Sequence, residues 1–319
     1  MRVVTYDELT PSMEVDRSLL HLAAFGGVFA RRTIDVWRRR AHAFAEYVGL
    51  FAVERGHLVG QMFVLRIPYT FPGGTEMVSG IAAVGTRPDR GGAGIARSLL
   101  TEVHRREKEA GLRFSTLWTN RSWGAHRLYE SLGYRDVYSS PWAVHAARPR
   151  LPSRSAGIRS GRRADIAELE RFHRDAAEGR LGFVQRPPEQ LAAMVSAGEV
   201  DPAKELIVLR NGGRLRGYAH VEAAPHRVIC GEIVAPSAGA FRSLVHEVER
   251  RAGRRPFAFQ HTPVTDHPEM FRGSGFSTVP GGWYVFMAAA LERAWTPAAA
   301  VEAFATRDPR FLCLSGDRF

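Results

Sequence analysis

The sequence predicts an α/β (α+β) protein built as two tandem units, each a sheet with flanking helices. Three observations carry this. The chain has 319 residues, about twice the usual size of a single domain. Strand-like and helix-like segments alternate along it. The succession then starts again after a proline- and serine-rich break, and part of it repeats letter for letter. Arg97-Ser-Leu-Leu-Thr-Glu-Val-His-Arg-Arg106 aligns with Arg242-Ser-Leu-Val-His-Glu-Val-Glu-Arg-Arg251, identical at seven of ten positions. Such self-similarity marks a duplicated unit.

In chain order, residues 18–47 read as helical, with an apolar face opened by Leu19, Leu20, Leu22, Ala23 and Phe25 and a break at Gly26-Gly27; a second helical stretch runs around Trp37 to Tyr47. Strands follow at 49–54, 59–68 and 77–86, joined by the turns Arg55-Gly56-His57 and Phe71-Pro72-Gly73-Gly74. A glycine-rich stretch runs straight into a helix over Ile95–Ala110, which Gly111 ends. Phe114–Thr119 reads as strand, Trp123–Leu132 as helix, and Tyr134–Val144 as one continuous strand. Residues 146–157 carry Pro, Ser and Arg without apolar period and read as a linker. Beyond it come a short strand at 157–159, a helix at 164–177, a hairpin around Asn211-Gly212-Gly213, a strand at 227–234 and a helix at 240–252. The boundaries expected are 1–147 for a first unit, 157–292 for a second, and 293–319 for a C-terminal tail.

Composition narrows the class. Hydrophobic residues make up 45% and charged residues 24%, the balance of a soluble globular chain. No apolar run approaches the roughly 18 residues that span a bilayer, and Met1–Glu8 lacks a secretory signal core. Cys230 and Cys313 are the only cysteines, too few for a disulfide framework or a zinc spacing. A cytoplasmic location and no resident metal are the expectation. The net charge is +11, almost all from arginine, since Lys108 and Lys204 are the only lysines. No nucleic-acid motif accompanies that charge, so it reads as composition spread over the surface, with a share left for an anionic ligand.

The chemistry-bearing segment is Val84-Gly85-Thr86-Arg87-Pro88-Asp89-Arg90-Gly91-Gly92-Ala93-Gly94-Ile95-Ala96. A strand ends, small residues follow, and a helix begins. The first N–H groups of that helix lack intrahelical partners and, with the helix dipole, suit a pyrophosphate. Small residues let the phosphates reach the backbone. Arg87 and Arg90 add positive charge nearby.

This stretch resembles the acyl-CoA-binding motif of the GNAT superfamily of N-acetyltransferases, Gln/Arg-x-x-Gly-x-Gly/Ala at the start of the helix after the fourth strand. Gly94 and Ala96 stand at its last two fixed positions; Gly91 stands at the first, with Arg90 one place early. Asn120, Ala125, Tyr129, Gly133 and Tyr134 resemble the family's Asn-x₄-Ala-x₃-Tyr-x₃-Gly-Phe/Tyr segment. The resemblance implies mixed, mostly antiparallel sheets flanked by helices, and acetyl-CoA as co-substrate. It assigns acetyl-CoA binding to Val84, Gly85, Thr86, Arg90, Gly91, Gly92, Ala93, Gly94, Ile95, Ala96, Arg97 and Asn120. It makes Tyr129 the proton donor to the leaving thiolate and gives a backbone N–H near Val84 the oxyanion.

The tandem arrangement, Ala24-Phe25-Gly26, Phe71-Pro72-Gly73-Gly74, Ala82–Pro88 and the ending Asp317-Arg318-Phe319 narrow the resemblance to the Eis ("enhanced intracellular survival") acetyltransferases, without their sterol-carrier-like third domain. In that family the base is the C-terminal carboxylate of a terminal phenylalanine, which points here to Phe319. The acceptor implied is a primary amine: an aminoglycoside-like molecule, a polyamine or a lysine side chain. Phe25, Phe29 and Trp37 fall where the acceptor pocket is expected, and Asp16, Asp35, Glu46 and Asp317 are the carboxylates available to a polycation.

The second unit reads as inactive. Phe241 stands where Ala96 stands, Pro236 removes a donor N–H from the loop, and Phe271 replaces Tyr129. Alternatives are a mycothiol-synthase-like tandem acetyltransferase, a non-catalytic acetyl-CoA sensor and a nucleic-acid binder, the last separable by salt-sensitive DNA retention. Membrane association is not expected, and a homo-oligomer stays open.

Overall fold

The computed structural model describes residues 1–40, 44–146, 155–272, 275–279, 281 and 284–314. The first half runs β1 (Arg2–Thr5), α1 (Pro11–Phe25), α2 (Arg31–Arg40), β2 (Phe44–Glu54), β3 (His57–Phe71), β4 (Gly74–Thr86), α3 (Ile95–Glu109), β5 (Phe114–Asn120), α4 (Gly124–Ser131), β6 (Arg135–Ser139) and β7 (Trp142–His145). The second half runs β8 (Ile158–Ser160), α5 (Ile166–Ala177), β9 (Leu181–Gly182), α6 (Gln190–Ala197), α7 (Pro202–Glu205), β10 (Leu206–Asn211), β11 (Arg214–Ala224), β12 (Arg227–Val234), α8 (Ala238–Ala252), β13 (Phe257–Gln260), α9 (Thr262–Asp266), β14 (Ser277–Val279), β15 (Tyr284–Ala290), α10 (Pro297–Ala303) and β16 (Phe311–Leu312).

These strands form two mostly antiparallel sheets flanked by helices. The first has the order β1-β2-β3-β4-β5-β15-β6, with β9 joining β3 and β16 joining β9. The second has the order β14-β7-β13-β12-β11-β10-β8. Each sheet holds a parallel pair at its middle, β4 with β5 and β12 with β13. The duplicated helices α3 and α8 bury equivalent faces, Leu99, Leu100 and Val103 in one core, Leu244, Val245 and Val248 in the other.

The halves trade strands. β15 lies between β5 and β6 of the first sheet, and β7 lies between β13 and β14 of the second. The stretch expected as one strand over Tyr134–Val144 is therefore two, in different sheets. Ser140-Pro141 separates them, because proline has no N–H for a ladder; the Pro141 carbonyl instead accepts from the His261 N–H at 3.1 Å. Val285–Ala289 of β15 are buried on both faces, as a central strand requires.

The start of the chain also differs from expectation. Thr10 caps α1, its hydroxyl oxygen accepting from the Met13 N–H, and Pro11 takes the first helical position. The helix ends at Gly26 in the left-handed conformation. The next helix covers 31–40 rather than 37–47, and Phe44 onward is strand. With β1 pairing against β2, Gly74–Thr86 becomes the fourth strand.

Candidate active site

Beyond Ile81 and Leu117, β4 and β5 stop pairing, although the strands continue to Thr86 and Asn120. A bulge starts the divergence. Gln61 of β3 faces Gly85 and Phe63 faces Ala82, so Ala83 and Val84 stand against the single residue Met62. Ala83 takes φ +50°, and the buried Gln61 amide donates to its carbonyl at 3.4 Å. The result is a short length of β4 whose backbone on the β5 side is free to meet an extended ligand. Val84 faces the gap. A Cβ on Gly85 would sit 3.6 Å from the Ala24 Cβ of α1. Thr86 remains paired with Gly60.

The loop after β4 makes one 3-10 turn over Pro88–Arg90 and enters α3 through Gly94. The first helical bond is Ser98 N–H to Gly94 O at 3.0 Å, so the N–H groups of Ile95, Ala96 and Arg97 have no intrahelical acceptor. No acidic side chain occupies this first turn. Gly92 and Gly94 have φ +78° and +77°, and a Cβ on either would meet no heavy atom within 4 Å. The loop thus presents open backbone. Its arginines are already paired: Arg87 holds Asp89 in a fork at 2.7 and 2.6 Å, Arg90 reaches Glu54 at 2.6 Å, and Arg97 donates to the Ser131 hydroxyl at 2.8 Å.

One cavity of about 820 Å³ brings Val84 and Tyr129 together with Phe25, Phe29 and Trp37. Tyr129 comes from α4 and is 6% exposed; its ring meets Tyr134 edge-on, centroids 5.8 Å apart. Burial pushes its phenol up to about 12. Asn120 is not part of the wall: its Oδ1 accepts from the Ser122 N–H and hydroxyl at 2.9 and 2.8 Å, tying the loop into α4. The glycine loop stands apart from the wall, next to β4's end. Phe319 and Asp317 lie outside the described residues. Asp16 accepts from the Leu58 N–H, Asp35 from the Tyr6 hydroxyl, and Glu46 pairs with Arg66; none of the three lines the cavity.

The second half supplies part of the wall: Phe183, Gln185, Arg186, Gln190, Met194 and Glu199, with Tyr284 from the traded strand. No motif marks these positions; Gln190 and Met194 come here with α6, which packs against α2. Arg186 is held in a fork by the buried Glu232 at 3.0 and 2.7 Å. Trp37 donates to Glu199 at 2.7 Å. At the matching place in the second unit, Phe241 is buried against His267, ring centroids 4.0 Å apart, and the cavity beside it is about 90 Å³. Among the described residues, no group of three or more His, Cys, Asp or Glu side chains is placed to hold a metal ion, and no helix is long and apolar enough to cross a membrane.

Residues 6–137 match the family model of the acetyltransferase (GNAT) domain. That segment is an acetyltransferase (GNAT) domain. The fold likeness extends over both units. A GCN5-related N-acetyltransferase from Kribbella flavida is 18% identical with a TM-score of 0.63, covering 90% of this chain and 70% of that one. A probable N-acyltransferase from Enterococcus faecalis V583 is 15% identical with a TM-score of 0.66, covering 91% and 72%. Eis1 from Mycobacterium abscessus is 18% identical with a TM-score of 0.58, covering 92% and 74%. The resemblance to the Eis acetyltransferases seen in the sequence is thus matched by likeness of fold. No curated protein sequence matches the chain.

Proposed function

We propose that this chain transfers the acetyl group of acetyl-CoA to a primary amine, with the chemistry in the cavity of the first unit. The observation that carries the reading is that the β4 bulge at Ala83-Val84 and the Tyr129 phenol border one cavity, beside the open N-terminus of α3. The backbone of residues 91–97 holds the pyrophosphate in this reading, and β4 from Ala82 to Val84 holds the extended arm. Acetyl-CoA supplies a thioester carbonyl. The amine nitrogen bonds to the carbonyl carbon as the carbon–sulfur bond breaks. The Val84 N–H receives the charge on the carbonyl oxygen. Tyr129, protonated at neutral pH, gives its proton to the sulfur. The proton lost by nitrogen passes to a base, directly or through water. The second unit walls the cavity and carries no chemistry of its own.

Thiol release from acetyl-CoA, measured over a panel of primary amines, tests this reading. Turnover with an amine, and acetyl-CoA binding abolished by charge in the glycine loop (Gly92→Asp), are the expected results. A protein that does not bind acetyl-CoA overturns it.

A further inference from the structure

The cavity is built for a different acceptor from the polycation that the family resemblance suggests. Its wall is dominated by rings, among them Phe29, Trp37, Phe44, Phe63, Trp118 and Phe183. Among the described residues lining it, Glu199 is the one acidic side chain. A molecule with several ammonium groups would have to shed their hydration against aromatic carbon, with Glu199 as the one acidic side chain of the described wall in return. The net charge of +11 opposes it further.

Glu199 is held for a task. The Trp37 indole fixes Oε1, and no Lys, Arg or His pairs with the carboxylate among the described residues. Its side chain opens onto the cavity, and partial burial raises its pKa from the ordinary glutamate value; the Trp37 bond opposes that rise. Trp37, which holds Glu199, packs with Leu65 against Ala193, and Leu65 pairs with Gly80. Gly80 lies four residues before Val84 along β4, about 13 Å at the rise of a strand, so this contact chain reaches β4 away from the bulge.

We infer that the acceptor is an elongated amine with an apolar body, whose reacting nitrogen lies by Val84 and Tyr129 and whose far end carries one cationic group received by Glu199. This rests on the acetyl-transfer reading above and names its acceptor class. It makes the second unit a determinant of substrate choice, since Glu199 comes from the loop after α6.

The test compares octamethylenediamine with octylamine, spermine and kanamycin as acceptors, in wild type and Glu199→Gln. The glutamine still accepts from Trp37 but carries no charge. In wild type the diamine should exceed octylamine in kcat/KM by at least about tenfold, the scale of one charge-assisted hydrogen bond. It should also exceed spermine and kanamycin. Glu199→Gln should bring the diamine's kcat/KM down to about that of octylamine in the same variant. Faster turnover of spermine or kanamycin, or an advantage that survives the substitution, overturns the inference. Quenching of cavity tryptophan fluorescence by octamethylenediamine gives a readout free of catalysis. Saturable quenching weakened by Glu199→Gln supports the inference even if acetyl-CoA binding fails and the acetyl-transfer reading falls. Absence of saturable quenching overturns the inference even if acetyl transfer to other amines is found.

Discussion

Met287 of β15 pairs with Leu117 of β5 in the middle of the first sheet, joining a residue of the second half to a strand that lines the cavity. The reciprocal relation sets Ala143 of β7 against Phe259 of β13 in the second sheet. Neither sheet is complete without a strand from the other half. Tyr284, at the start of β15, pairs with Asn120 and also lines the cavity, so the exchange shapes the site as well as the core.

The halves should therefore not fold apart. A fragment of residues 1–150 lacks β15, whose Val285–Ala289 are at most 1% exposed, and leaves β5 and β6 as unpaired apolar edges. It is expected to be insoluble or unfolded by circular dichroism, and to become soluble when co-expressed with residues 151–319. The intact chain should unfold in one transition by two independent probes. A soluble first fragment with native-like near-ultraviolet signal contradicts this.

The legible part of the molecule was the part written in local chemistry. The αL glycines, the strand–loop–helix passage at 84–96 and the α3/α8 repeat depend on residues close in sequence, and their letters suffice. The strand exchange was not legible, because the apolar run Tyr284–Ala290 specifies a central strand without saying of which sheet. Pro141 was the available signal for the break between β6 and β7. The helix expected over 37–47 failed where Phe44–Val48 carry aromatic and branched residues that a strand prefers. Phe25, Phe29, Trp37 and Tyr129 could be named from motif and position. Glu199 and Arg186 could not, since only tertiary packing delivers them.

Tyr129→Phe should lower turnover by roughly a hundredfold, the usual share of a positioned acid, with acetyl-CoA affinity unchanged. No side chain hydrogen-bonds the Tyr129 hydroxyl among the described residues, so the melting temperature should move little. Because its phenol is pushed up to about 12, the wild-type rate should show no alkaline decline below pH 10 from this group. Wild-type turnover in the phenylalanine variant would remove Tyr129 from the mechanism.

Gly94→Val tests the loop. The site has φ +77° with open space around a Cβ, so the cost to folding is the left-handed conformation alone, about 1–2 kcal/mol. The added side chain stands beside the free N–H groups of α3. Acetyl-CoA binding, read by calorimetry, should weaken by at least about tenfold while the protein stays folded. Equal affinity in the variant would place the pyrophosphate elsewhere.

His173 links stability to pH. It is 2% exposed, and burial, aided by the Arg186 charge, lowers its pKa from 6.5 to about 4. The unfolded chain takes up its proton near pH 6.5, the folded chain only near pH 4. Between those values the unfolded state binds more protons, so stability is full above pH 6.5 and falls as the pH drops through this window, by about 3 kcal/mol. His104, lowered to about 4 by burial alone, acts in the same direction. Glu232 opposes neither: although its burial is costly, Arg186 holds its carboxyl below the usual range, so its contribution persists until the pH falls below 4.5 toward that lowered value. Urea midpoints at pH 7.5 and pH 5 should therefore differ more in wild type than in His173→Leu, which cannot titrate. An equal drop in the two proteins would show that His173 is not the group responsible.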